Sequence, residues 1–347
     1  MFALFAGVFL AAKGSTQTKF ETAGQKFKSI KVLNEMPADQ MGKVMNMMSA
    51  SLGVNCKFCH ASNDGEYEKE GIEHKDIARQ MLRMTFEMNK NYFDSRAEIT
   101  CATCHQGKPM PQSMIPLTPV PRAPRLVQPE KKPLVDEILA KYETALGGRA
   151  NLTKITSRQI KAQRLEPDGK TFEAEEILQK GAKMSIKTVY PSKQYGDYTV
   201  EEIFDGTTAR KLGNGTAIEL KPDEIEQIKR EAQLFVNPDL RGVYAKLDFH
   251  AVERIDEREF YVLSANGGAS FEKLYFDPEN GLLVRRVAET PTVLGAFTFQ
   301  VDYTEYRDFG GVKLATVVKF AVPNIRWTRR ILEVKNNAAI DDAKFVK

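Results

Sequence analysis

The pentapeptides Cys56-Lys57-Phe58-Cys59-His60 and Cys101-Ala102-Thr103-Cys104-His105 hold all four cysteines of the chain and two of its four histidines. In each, two thiols three positions apart share one helical turn, so both can form thioethers to the vinyl groups of one porphyrin. The adjoining histidine then reaches the iron. The pattern predicts two covalently bound haem c groups, held by Cys56, Cys59, Cys101 and Cys104, with His60 and His105 as proximal iron ligands. Paired C-x-x-C sequences also serve as redox dithiols, and two pairs can make a four-cysteine zinc site, but neither chemistry asks for a histidine directly after the second cysteine. A disulfide framework confined to the first third would leave most of the chain unstapled.

Each pentapeptide follows a segment of helical period. Residues 39–52 repeat apolar side chains at Met41, Val44, Met45 and Met48, with Pro37 ahead and Gly53 as a stop; residues 74–93 do so at Ile77, Met81, Met84 and Met88. The unit is helix, turn and haem site, written twice. Both helices are rich in methionine, and periodicity alone leaves Met41, Met45, Met47 and Met48, or Met81, Met84 and Met88, open as either core or iron ligand.

Half of the sixteen prolines fall between Pro109 and Pro133. Proline fixes φ and removes a backbone donor, so this stretch reads as an extended, semi-rigid connector. The expected organisation is a signal- or anchor-like segment at 1–15, a dihaem domain at 16–108, the linker at 109–133 and a second domain at 134–347. The run from Phe2 to Ala12 is apolar but, at about eleven residues, shorter than the roughly twenty a membrane-spanning helix needs. Charge excludes little: 50 Lys and Arg face 46 Asp and Glu, and the basic residues are interleaved with acidic ones, so nucleic acid is not suggested as a partner.

The segment Met45-Asn46-Met47-Met48-Ser49-Ala50-Ser51-Leu52-Gly53-Val54-Asn55, running into the first pentapeptide, resembles the haem-binding segments of the cytochrome subunit of photosynthetic reaction centres. So do Ala78-Arg79-Gln80-Met81-Leu82-Arg83-Met84 and Asn89-Lys90-Asn91-Tyr92 ahead of Cys101-Ala102-Thr103-Cys104-His105-Gln106-Gly107. Tetrahaem members of that family carry the two-haem unit twice; this chain has it once, over roughly residues 28 to 111. The resemblance implies that Met45 ligates the first iron and Met81 the second, their methionine neighbours forming the pocket wall. His74 then reads as a solvated residue at a helix start, and His250 as an ordinary strand residue.

Met/His ligation implies a raised potential and filled axial positions, hence single-electron transfer without bond chemistry. The resemblance to c-type cytochromes further implies the periplasm or the outer face of the cytoplasmic membrane. The expected partners are redox proteins, among them a membrane electron-transfer complex in photosynthesis or respiration, with membrane association through the N-terminus or the second domain. A dihaem peroxidase with one five-coordinate haem is the enzymatic alternative.

After the linker, residues 134–146 form an amphipathic pattern stopped by Gly147-Gly148, and residues 222–235 are the other helical stretch. Much of the remainder alternates with period two, as in Phe297-Thr298-Phe299-Gln300-Val301-Asp302-Tyr303, between turn signals at residues 167–169, 213–215, 277–281 and 310–311. The fold class is α+β: a mainly helical N-terminal domain, then an antiparallel β-rich domain with packed helices. The second domain is similar to the half-barrel of periplasmic lipoprotein carriers. It reads as a docking or spacer domain in preference to a lipid-binding one with sensor haems, and it lacks the Ser-His-Asp, H-E-x-x-H and phosphate-loop patterns.

Overall fold

The computed structural model describes residues 21–61, 66–111, 132–168, 172–191, 196–236, 240–256, 258–266 and 270–346. The signal-like segment and most of the proline-rich linker lie outside them. The N-terminal part is helical, with α1 (Ala23–Lys26), α2 (Met41–Leu52), α3 (Glu73–Tyr92) and α4 (Cys101–His105). The two longer helices fall where periodicity puts them, except that α2 is entered through a 3-10 turn at Ala38–Gln40. Gly53 ends α2 in the left-handed region (φ 66°, ψ 32°), a conformation that costs a glycine little. Ala23, Leu33, Met36, Val44 and Leu82 form the core of this part.

The interior face of α3 is not the one its hydrophobic period suggests. Lys75, Arg79, Leu82, Thr85 and Asn89 are buried, while Ile77, Met81, Met84, Met88 and Tyr92 form an exposed stripe on the other side. The buried polar groups have partners. Arg79 donates to Glu70, Asp76 and the Ser29 carbonyl, and the Asn89 amide bridges both the N–H and the C=O of Ile99 (2.9 and 2.7 Å). Buried polar side chains are tolerated when satisfied in this way.

In the C-terminal part, α5 (Val135–Ala145) and α6 (Arg149–Leu152) precede six strands: β1 (Ser157–Leu165), β2 (Phe172–Lys180), β3 (Lys183–Tyr190), β4 (Tyr198–Phe204), β5 (Ala209–Gly213) and β6 (Thr216–Ile218). Helices α7 (Pro222–Val236) and α8 (Leu240–Val243) then lead to β7 (Leu247–Ile255), β8 (Arg258–Asn266), β9 (Phe271–Phe276), β10 (Leu283–Thr292), β11 (Gly295–Asp308), β12 (Lys313–Val322) and β13 (Ile325–Asn336). A 3-10 turn at Asp342–Phe345 follows. The four-residue helices α6 and α8 and this last turn escape a periodicity reading because a single turn shows no repeat.

All thirteen strands join one antiparallel sheet in the order β6-β5-β4-β3-β2-β1-β13-β12-β11-β10-β9-β8-β7. Every neighbour pair but one is consecutive in sequence. The exception, β1 with β13, brings Ile160 opposite Val334 and joins two meanders at the middle of the sheet. The expected turns at 213–215, 277–281 and 310–311 fall at or between strand ends, that at 167–169 runs beyond the described residues, and the period-two segment lies in β11, where Phe299 and Val301 are buried.

Helix α5 buries Ile138 and Tyr142 against Leu263, Leu274, Phe276 and Leu283. Helix α7, bridging the two edge strands in sequence, buries Ile228 and Ala232 against Ile160, Ile177, Met184 and Ile186. Between these two cores lies a cavity of about 150 Å³. Among its lining residues are the buried Arg286 and Gln179, whose Nε and Oε1 find no partner among the described residues.

The two parts touch through loops of the sheet. Leu294, in the β10–β11 turn, is 3 % exposed and belongs to the N-terminal core. At Gly295 an added Cβ would lie 3.1 Å from Thr100 Cγ2 and 4.0 Å from Met47 Cε. In the β12–β13 turn, Asn324 exchanges hydrogen bonds with Asn46 of α2.

Candidate haem-attachment sites

The first pentapeptide forms a 3-10 turn at Cys56–Phe58, opened by Asn55, whose side chain accepts from the Lys57 N–H (3.1 Å). His60 follows with its backbone N–H bonded to the Cys56 carbonyl (2.9 Å), so thiols and imidazole belong to one turn of chain. Its Nδ1 lies 3.3 Å from the Tyr67 carbonyl oxygen, and the Tyr67 ring packs edge-on at 5.2 Å. A carbonyl oxygen only accepts, so Nδ1 carries the proton and Nε2 keeps its lone pair.

The second pentapeptide is the helix α4, where the Thr100 N–H donates to Thr103 Oγ1 (3.0 Å). Gln106 (φ 50°) and Gly107 (φ 80°) then reverse the chain with left-handed backbone. This reversal places the Lys108 carbonyl 3.0 Å from His105 Nδ1. The same inference holds: Nδ1–H is donated and Nε2 is available. Two imidazoles, each fixed by a backbone carbonyl with Nε2 free, have the orientation and tautomer of metal-ligating histidine.

Burial pushes the His60 imidazole below its ordinary pKa, against the Tyr67 carbonyl, which raises it, and with the help of the positive charges of Lys75 and Arg79; the net lowering favours the neutral, ligating form. Burial likewise raises the thiols of Cys59 and Cys101. Cys56 and Cys104 are exposed, and none of the four cysteines is in a disulfide. Among the described residues no group of three or more His, Cys, Asp or Glu side chains is placed to hold a metal ion.

These residues fit covalent haem. The thiols, the oriented imidazoles and a long apolar surface are all present. The stripe Ile77, Met81, Met84, Met88 and Tyr92 runs about 22 Å along α3, far more apolar surface than one isolated exposed side chain would leave. Met81 sits within it, 37 % exposed. Met45 is half-buried beside the N-terminal core, on the side of α2 shared with Met41 and Met48.

Met47 points elsewhere: its Sδ lies 3.5 Å from Thr292 Oγ1, whose proton goes to the Gly295 carbonyl (2.7 Å), and this contact places it against the β10–β11 turn. His74 is exposed at the second position of α3 yet stacks on Phe58, between the first pair of cysteines, at 4.1 Å and 18°. His250 lies on β7, with Nε2 3.8 Å from Glu253. Sequence reasoning missed the Tyr67 and Lys108 carbonyls, because backbone oxygens carry no residue signature. It also missed Lys75 and Arg79, although their alternating i+4 and i+3 spacing with Leu82, Phe86 and Asn89 marks a second face of α3.

Residues 7–133 match the family described as photosynthetic reaction centre cytochrome C subunit. The photosynthetic reaction center cytochrome c subunit of Roseobacter denitrificans is 30 % identical over 112 residues, covering 30 % of this chain and 30 % of that protein. That of Thermochromatium tepidum is 27 % identical over 124 residues, covering 35 % of this chain and 30 % of its own length. Cytochrome c-554 of Chloroflexus aurantiacus is 30 % identical over 87 residues, or 23 % of this chain and 20 % of that one. The chain therefore spans less than a third of the length of these relatives. Among solved structures, a LolA superfamily protein from Nitrosomonas europaea covers 61 % of this chain and 97 % of its own at 15 % identity, with a TM-score of 0.42. The N-terminal third is reaction-centre-cytochrome-like, and its cytochrome c relatives imply covalently bound haem c.

Proposed function

We propose that this reaction-centre-cytochrome-like chain is a dihaem c-type cytochrome that relays single electrons between a membrane redox complex and a second redox protein, outside the cytoplasmic membrane. The observation that carries the reading is the shared geometry of His60 and His105, each with Nδ1 on a backbone carbonyl and Nε2 free. Cys56 and Cys59 tether one haem, Cys101 and Cys104 the other. Each haem, when bound, supplies a one-electron ferric/ferrous couple. Met45 and Met81 would each supply a thioether ligand to one haem iron in this reading. The engagement of Met47 with Thr292 supports Met45 among the methionines of α2. The exposed apolar stripe of α3, if covered by a bound haem, would keep water from that side of the site, which disfavours the more highly charged ferric state. Among the described residues no helix is long and apolar enough to cross a membrane.

The test is spectroscopic. Alkaline pyridine spectra should report two haem c per chain; an apoprotein holding zinc sinks the proposal. Replacing Met45 or Met81 by alanine should lower one midpoint potential and produce a high-spin iron that binds carbon monoxide. Unchanged spectra in both variants would show the methionine assignment wrong, and carbon monoxide binding to the unaltered ferrous protein would favour a peroxidase. A second role, binding a small amphipathic molecule, is supported by the cavity under α5 and α7, where Arg286 Nε and Gln179 Oε1 find no partner among the described residues. A small molecule retained through purification and lost on substituting Gln179 by leucine is the expected sign of it.

A further inference from the structure

The two histidines are held alike, but their carbonyls are not. The Tyr67 oxygen that accepts from His60 Nδ1 at 3.3 Å also accepts from the Lys75 ammonium at 2.8 Å. Lys75 is 9 % exposed, and its ammonium donates to the Lys69 carbonyl as well (2.9 Å) and lies 3.3 Å from Glu70. At the second site the Lys108 oxygen lies closer to its histidine, at 3.0 Å, and among the described residues no side-chain ammonium shares it.

The shared oxygen has two consequences with the same sign. Its lone-pair density is divided between two donors, so it draws the His60 proton less strongly, and the imidazole donates less electron density to iron than His105 does. The ammonium also stands within about 6 Å of His60 Nδ1, because both touch one atom. There it opposes the extra positive charge of ferric iron. Glu70 does not cancel it, since that carboxylate is divided among Lys31 (2.8 Å), Arg79 (2.6 Å) and Lys75 (3.3 Å). Asp76 pairs with Arg79 (2.7 Å), so the cluster of three cations and two carboxylates remains net positive.

We propose that Lys75, through the Tyr67 carbonyl, is a positioning residue that makes the haem at Cys56 and Cys59 the higher-potential member of the pair. The inference rests on the dihaem reading above. It goes beyond it by assigning an order to the two centres, with the first as the thermodynamic destination of an electron held at the second. One charge at this range, partly offset by Glu70 and acting through an effective dielectric near 20, is expected to move the ferric/ferrous ratio roughly tenfold. That is about 59 mV for a one-electron couple.

The experiment is a spectroelectrochemical titration of the full chain with Lys75 as Lys, Gln or Arg, after pyridine spectra have counted the haems. With two haems present, Lys75→Gln should lower the upper midpoint about tenfold in ratio and leave the lower one in place, and Lys75→Arg should restore it. Two haems with both midpoints unmoved, or a shift confined to the lower midpoint, overturns this inference alone. A count below two in the unaltered protein overturns the dihaem reading and this inference with it. Should the Gln variant fail to load haem, the unaltered protein still decides, because two coincident midpoints are incompatible with the asymmetry.

Discussion

Gly53 packs α2 against the turn after the second pentapeptide, and replacing it by alanine measures how tightly. Its backbone is left-handed, which costs an alanine about 1 kcal/mol. The larger effect is steric. A Cβ there would lie 2.1 Å from the Gly107 carbonyl oxygen and 2.9 Å from its carbon, so the Gly107 peptide must retreat by about 1 Å to reach ordinary contact. The retreat stretches the hydrogen bond from the Gly107 N–H to the Ser51 carbonyl, now 2.8 Å, and loses about another 1 kcal/mol. With the disturbed packing of α2 on α4 the total is about 3 kcal/mol.

Gly107 is the internal control. It is also left-handed, at φ 80°, but an added Cβ meets nothing within 4 Å, so Gly107→Ala should cost only about 1 kcal/mol. The difference of about 2 kcal/mol is roughly thirtyfold in the folding equilibrium. Urea denaturation of the two variants, followed by far-ultraviolet circular dichroism, measures it. Gly107 also begins the turn that presents the Lys108 carbonyl to His105, so Gly53→Ala should lower haem occupancy at the second site first. Equal costs for the two alanines would refute the argument that α2 and the second haem turn are in contact through this glycine.

Three further outcomes follow from other contacts. Hydrogen bonds from Arg79 and Lys31 hold the Glu70 carboxyl well below its usual range, so its stabilisation is full above about pH 4.5 and drains as pH falls toward its folded-state value. Glu70→Gln should flatten that acid limb in a melting series from pH 7 to pH 2.5, and an unchanged profile would count against the network. Glu272, 2 % exposed, accepts from Tyr244 Oη (2.7 Å), Arg230 (3.2 Å) and Arg286 (3.2 Å), so Glu272→Ala strands buried cations and should cost about 3–5 kcal/mol in denaturant titration. A loss under about 1 kcal/mol would mean that water replaces the carboxylate. Leu294→Ala should cost about 2–4 kcal/mol and destabilise the helical part although the residue belongs to the sheet, visible as a shift in the melting of the haem region; a melt altered only in the β-rich part would argue against docking through this turn.

The parts legible in the sequence are those whose cause is local. The C-x-x-C-H pentapeptides can be read because thioether attachment and the adjoining histidine require fixed residue types within one turn. Helices α2, α3, α5 and α7 show their period, and the turns at residues 213–215, 277–281 and 310–311 announce themselves through glycine, asparagine and proline. The antiparallel character of the sheet was legible, and all neighbours but β1 and β13 are consecutive in sequence. That single pairing spans most of the domain and has no local sign.

By itself the sequence determined the two copies of the C-x-x-C-H pentapeptide and an α+β chain with helices before strands. Tertiary structure alone decided which way α3 faces, because packing rewards the satisfied Lys75, Arg79 and Asn89 side and leaves the methionine stripe for another surface. It also decided that the Tyr67 and Lys108 oxygens orient the two histidines, and that a turn near residue 294 docks against a helix near residue 47. Backbone carbonyls are identical at every position, and contacts across some 245 residues depend on how whole elements pack, so neither leaves a pattern that a linear reading can recover.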